Sequence, residues 1–147
     1  MKNILFLCTG NSARSIMAEA YLNHAGKHRF RAYSAGSHPA ERPNPFALEI
    51  LSAHGVKADA PRSKSWDEFA RDGAPVMDVI VTVCDNAARE VCPVWPTRDG
   101  AAPKKLHWSF PDPAAVAGTN ADKRRAFETV FADIRARIDA FLKEQAP

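Results

Sequence analysis

The sequence predicts an α/β fold built on a parallel sheet, and three observations carry that prediction. Two apolar runs are unbroken, Ile4-Leu5-Phe6-Leu7 and Val79-Ile80-Val81-Thr82-Val83. A strand covered on both faces loses the in–out alternation of a half-exposed one, so such runs read as central strands. Strand-like and helix-like segments also alternate along the chain, which gives βαβ units with right-handed crossovers. At 147 residues the chain is expected to be one domain, 1–147, able to bury roughly 68–70% of its unfolded surface.

The first strand is expected over Asn3 to Cys8. The small polar stretch Thr9 to Ser15 leads into a helix around Ile16 to Leu22 that stops near Gly26. Phe30 to Gly36 alternates and ends in glycine, as a second strand would. Residues 37–45 hold three prolines and read as a loop. Phe46, Leu48, Ile50 and Leu51 have helical spacing, so a helix is expected from Pro45 to His54 with Gly55 ending it. Ser65 to Ala70 reads as one short helix, and Asp78 to Cys84 as the second buried strand. Residues 85–105 read as irregular, and Lys105 to Trp108 as a short strand. Thr119 or Asn120 caps a last helix to about Lys143, whose apolar stripe is Phe127, Val130, Phe131, Ile134, Ile138 and Phe141.

Hydrophobic residues make up 46% and charged residues 25%, which is ordinary for a globular chain. No apolar run approaches the roughly 18 residues of a membrane span. The short apolar start lacks a cleavage site, so a cytoplasmic location is expected. A net charge of +3 without a dense basic stripe favours small anions over nucleic acid. The three cysteines, Cys8, Cys84 and Cys92, are an odd set that makes no disulfide framework. The five histidines have no zinc-ligand spacing to them, so no metal site is expected. In an open parallel sheet the site lies at the strands' carboxyl ends. Cys8 and Cys84 each end a buried strand there.

Between Cys8 and Arg14 lie five residues, Thr9, Gly10, Asn11, Ser12 and Ala13. A loop of that length can wrap a tetrahedral oxyanion and aim backbone N–H groups inward. The helix that follows adds its positive end. Arg14 can clamp two oxygens with its planar fork. Gly10 and Asn11 tolerate left-handed backbone. The same field favours the thiolate of Cys8, and Ser15 can donate its hydroxyl to it.

The stretch L-C-T-G-N-S-A-R-S-I-M-A-E-A closely resembles the low-molecular-weight protein tyrosine phosphatase superfamily, and most of all its arsenate reductase branch. Trp108-Ser109-Phe110-Pro111-Asp112-Pro113 resembles the Asp-Pro loop of that superfamily, in which the Asp is the general acid. Tyr33-Ser34-Ala35-Gly36 resembles the segment after its second strand. The similarity runs from Asn3 to the last helix and implies a four-stranded parallel sheet flanked by helices on both faces. It implies Cys8, Arg14 and Asp112 as catalytic, residues 9–15 as the substrate loop, and Asn11, Ser15 and Ser34 as its supports.

The remaining thiols separate the branches. Asp85-Asn86-Ala87-Ala88-Arg89-Glu90-Val91-Cys92-Pro93 resembles the reductase branch. That resemblance implies arsenate as substrate, with Cys84 attacking Cys8, Cys92 attacking Cys84, and an outside thiol reductant: thioredoxin, glutaredoxin or mycothiol. No bound cofactor is implied, and a monomer is expected. The alternative is a tyrosine phosphatase working through a Cys8 phosphoenzyme, but only Ala114-Ala115-Val116-Ala117 follow the Asp-Pro pair, and these give an aromatic substrate no platform. Three positions depart from the pattern. Seven residues separate Cys84 from Cys92, one more than in the thioredoxin-coupled pattern. Position 13 is Ala, where many relatives carry a second loop Cys. Some relatives bind potassium near the loop Asn through an Asp, which Arg62-Ser63-Lys64-Ser65 lacks. Lys64 is expected to set its ammonium in the cation's place and support Asn11.

Overall fold

The computed structural model describes residues 1–97 and 99–145. Four strands form one sheet: β1 (Lys2–Leu7), β2 (Phe30–Ala35), β3 (Val79–Thr82) and β4 (Lys104–His107). Their order is β2-β1-β3-β4 and every pairing is parallel. The chain leaves β1 toward β2 on one side and returns to β3 on the other. The crevice where the winding reverses therefore opens between the carboxyl ends of β1 and β3. Leu7 pairs with Thr82, so Cys8 and Cys84 leave the sheet one residue out of step with each other.

Side chains alternate across the sheet and build two apolar clusters. Ile4, Phe6, Val79 and Val81 face α1 (Arg14–Ala25), α2 (Pro45–Ala53) and the long C-terminal helix Asn120–Glu144. Leu5, Leu7 and Ile80 face the other way, onto Phe69 of a one-turn 3-10 helix (Trp66–Phe69), Met77 and Trp95. Helical segments thus cover both faces, unequally. The six predicted stripe residues of the C-terminal helix are all buried, and Leu142 joins them. Thr119 supplies its cap, in a reciprocal box with Asp122. Asn44 caps α2, where Pro45 takes the first helical position.

Two expectations need revision. Residues 85–89 are not irregular: Asp85–Arg89 is a helix, α3, which makes the C-terminal helix α4. Five residues carry too little periodicity to read, and the cap is a thiol rather than a hydroxyl or carboxylate: Cys84 Sγ accepts from the Ala87 N–H at 3.4 Å. The last strand runs Lys104–His107, and Trp108 lies just past it, buried against Phe6 and Phe141. Among the described residues no helix is long and apolar enough to cross a membrane.

Candidate active site

The loop from Cys8 to Ser15 is held from outside, and that decides where its amides point. Three of its carbonyls are taken by the neighbouring segment: Thr9 O accepts from the His38 N–H, Gly10 O from Ala40 and Ser12 O from Asn44, at 2.8–3.0 Å. With the carbonyls bound outside, the N–H groups of the turn face the enclosed space. The proline-containing stretch 37–44 is thus a brace as well as a connection, a role its composition did not reveal. Gly36 permits the close approach. A Cβ there would sit 2.3 Å from Thr9 O and 2.4 Å from Cys8 O.

Asn11 fixes the turn itself. It has a left-handed φ of 45° and is fully buried. Its side chain donates to Ser15 Oγ at 2.8 Å and accepts from the Lys64 backbone N–H at 2.9 Å. Ser15 therefore supports Asn11. The Lys64 ammonium does not contact Asn11, contrary to expectation. It donates to Arg62 O at 3.0 Å and lies 3.8 Å from Glu19, with only 8% of the residue exposed. Burial pushes Glu19 up and Lys64 down in pKa, and each opposes the other's shift. Ser34 is enclosed in the same corner, beside Glu19.

A cavity of about 290 Å³ opens over the loop, lined by Cys8, Ser12, Arg14, Cys84, Asn86 and Asp112 among others. The first turn of α1 has no side-chain cap, so its N–H groups stay available to an anion. One guanidinium nitrogen of Arg14 donates to Phe110 O at 3.0 Å and another lies 3.8 Å from Asp112. Arg14 Nε is buried without a partner in the protein, and an oxyanion would satisfy that donor. Asp112 caps the short helix Pro113–Ala115 by accepting from Ala114 N–H at 3.0 Å, and its side chain is 45% exposed.

All three cysteines are free. Cys8 and Cys84 approach to 3.3 Å. Their shared hydrogen bond lets one ionise and holds the other protonated. Cys84 is pulled down to about 5 by the bond from Cys8, helped by backbone N–H groups of Thr9 and Ala87. Cys8 is pushed up by that same bond and by burial, against Arg14 and the Gly10 N–H. The ionisation of the two thiols is thus coupled across a single contact. Cys92 stands apart. Cys84 packs in the cluster with Val81 and Phe6, whereas Cys92 packs with Ile80 and Trp95 on the opposite face. Burial also raises its pKa.

Sequence reasoning missed Glu90. Its carboxylate accepts from Thr9 Oγ1 at 3.0 Å and from Ser37 Oγ, and lies 3.7 Å from His38. Asn86 also reaches Thr9 Oγ1, at 2.8 Å.

Fold and loop together define an α/β protein with two adjoining thiols and an anion-sized loop at the switch point of a parallel sheet. The chain belongs to the low molecular weight phosphotyrosine protein phosphatase family, whose profile matches residues 3–146. It is 36% identical over 140 residues to an arsenate reductase of Halalkalibacterium halodurans, covering 95% of this chain and 94% of that one. To an arsenate reductase of Shouchella clausii it is 38% identical with the same coverage. Among solved structures, the thioredoxin-dependent arsenate reductase of Corynebacterium glutamicum superposes with a TM-score of 0.69 at 25% identity, covering 98% of this chain and 61% of that one.

Proposed function

We propose that the protein reduces arsenate to arsenite through its three thiols. The observation that carries this reading is the second thiol: Cys84 lines the oxyanion cavity and lies 3.3 Å from Cys8. Hydrolysis of a phosphate ester has no use for it. The kinship with arsenate reductases at 36% and 38% identity supports the same reading.

Arsenate sits in the loop with its oxygens on the N–H groups and on Arg14. The shared proton passes from Cys8 to Cys84, Cys8 attacks arsenic as the thiolate, and Asp112 protonates the departing oxygen. Cys84 gives its proton to an oxygen of the arsenic adduct and, now as thiolate, attacks Cys8 Sγ. The sulfur–arsenic bond breaks, its electron pair stays on arsenic, and arsenic(V) leaves as arsenic(III). Cys92 then attacks Cys84 and frees Cys8. An external dithiol takes the Cys84–Cys92 disulfide; the kinship with a thioredoxin-dependent enzyme makes thioredoxin the first choice, ahead of glutaredoxin or mycothiol.

The decisive experiment is arsenate-dependent NADPH consumption with each reductant system supplied in turn. Turnover is expected with one of them. No turnover with any, alongside rapid hydrolysis of p-nitrophenyl phosphate, would instead establish the phosphatase reading, which the trio Cys8, Arg14 and Asp112 alone would satisfy. Asp112→Asn is expected to slow the first chemical step about a hundredfold while phosphate still binds. An unchanged rate of Cys8 adduct formation would remove the acid role.

A further inference from the structure

We propose that Glu90 is the positioning residue that clasps the Cys92-bearing segment shut in the reduced protein, and that this clasp must open before Cys92 reaches Cys84. The inference rests on the three-thiol relay.

The observations converge on one side chain. Glu90 is the residue at which α3 ends, two before Cys92, and the backbone turns extended there. Its carboxylate binds two elements distant in sequence, Thr9 of the oxyanion loop and Ser37 with His38 beyond β2. α3 is only five residues long, and a helix so short is marginal unless held at its ends. Glu90 is the hold at its carboxyl end. While it stays, Cys92 remains with Ile80 and Trp95 across the sheet from Cys84. A disulfide needs Cα atoms within roughly 7 Å, so a thiol held on the other face has to be carried around.

The clasp also occupies a donor. The Thr9 hydroxyl has one proton, given to Glu90, and lies 3.9 Å from Cys84 Sγ. When Glu90 departs, that proton is free to turn toward the Cys84 sulfur. The step so gated balances without an outside oxidant. Cys92 loses its proton to water and its thiolate attacks Cys84 of the Cys8–Cys84 disulfide. The new bond forms as the old one breaks, and the electron pair leaves on Cys8.

The test uses the full reduced chain and no arsenate, so its result is independent of whether arsenate is the substrate. Each cysteine's alkylation rate by iodoacetamide is read by peptide mapping in the native protein. Glu90→Ala is expected to raise the Cys92 rate roughly tenfold without raising the rates of Cys8 and Cys84. Glu90→Gln removes the charge but keeps an acceptor for Thr9, so its rise should be smaller. In a Cys8→Ser background, Glu90→Ala should favour the Cys84–Cys92 disulfide about tenfold, moving its potential about 30 mV more negative. Equal rises in Gln and Ala variants would reduce Glu90 to a nearby charge. Parallel rises at all three cysteines would mean general loosening. Either result, or an unchanged Cys92 rate, overturns the clasp.

Discussion

Cys8 and Cys92 sit in opposite kinds of surroundings. Around Cys8, backbone holds backbone: three carbonyls of the loop are bound by residues 38–44, Gly36 lies against Cys8 and Thr9, and Asn11 locks the turn from a buried position. Around Cys92, a five-residue helix and an extended segment are tied down by side chains, with Val91 and Val94 almost fully exposed. A site that stabilises developing charge works best preorganised. In the proposed relay the last thiol starts on the opposite face of the sheet from Cys84 and has to move. On the proposed reading, the difference teaches that the reaction's first half is built for rigidity and its second for release.

The largest effects should come from breaking the rigid half. Cys8→Ser is expected to abolish arsenate reduction, since the nucleophile is gone. Arg14→Ala should cost about 10²–10³-fold in turnover and weaken phosphate binding measured by calorimetry. Substantial turnover by Cys8→Ser would sink the assignment outright.

Substitutions of the other two thiols should stop the cycle later, and at different points. Cys92→Ser should perform one turnover and halt with a Cys8–Cys84 bond, found by peptide mapping. Cys84→Ser should form the adduct but fail to release arsenite unless a small thiol attacks in its place. Full multiple turnover by Cys92→Ser with thioredoxin would mean a two-thiol route.

A third effect separates support from chemistry. Lys64, which is buried, and Glu19, which is partly buried, pair beneath the loop. Lys64→Met takes the nearer cation from a partly buried carboxylate and should cost about 1–3 kcal/mol near neutral pH. Glu19 has a folded pKa above its unfolded one. Its ionisation therefore opposes folding, and that opposition is absent below the unfolded pKa and grows as pH rises through the folded one. The deficit of Lys64→Met should accordingly shrink on acidification, and adding Glu19→Gln should recover most of it. Urea unfolding of the single and double variants at neutral and mildly acidic pH reads both. A deficit independent of pH would take the charge pair out of the explanation.

What was legible in the sequence follows the same division. The oxyanion loop is contiguous, and its spacing between a buried strand and a helix states its chemistry. The central strands and the stripe of α4 are periodic over enough residues to be read. The supports were legible only where they fall inside such a pattern. The brace at 37–44 works through backbone groups, which any residue supplies. Glu90 joins partners 81 and 53 residues away, and nothing in its neighbourhood announces either. α3 escaped because a thiol cap and five residues leave no period. Lys64 was expected to support Asn11 through its ammonium; its backbone N–H meets Asn11 instead, a contact that does not depend on the side chain.

The smallest effect is expected at the other end of α3. Asp85 accepts from Ser109 Oγ at 2.9 Å and lies 3.1 Å from His107 Nε2, and His107 Nδ1 is 2.7 Å from Thr82 Oγ1. The two hydroxyl groups and the imidazole tie the start of α3 to β3 and β4. All of this is at the surface, where solvent competes for each bond. His107→Ala should therefore cost only about 0.2–1 kcal/mol in urea unfolding. Its effect on the relay should also be slight. Cys84 is fixed from behind by the sheet, since Val83 N–H bonds Leu7 O at 2.9 Å, and the thiol's contact with Cys8 does not pass through His107. The variant should leave the Cys8–Cys84 step unchanged in single-turnover mapping and alter the Cys84–Cys92 step by a few-fold at most. A large change in the first step would mean that the rigid half extends through His107, and the boundary between the two regions would have to be redrawn past the start of α3.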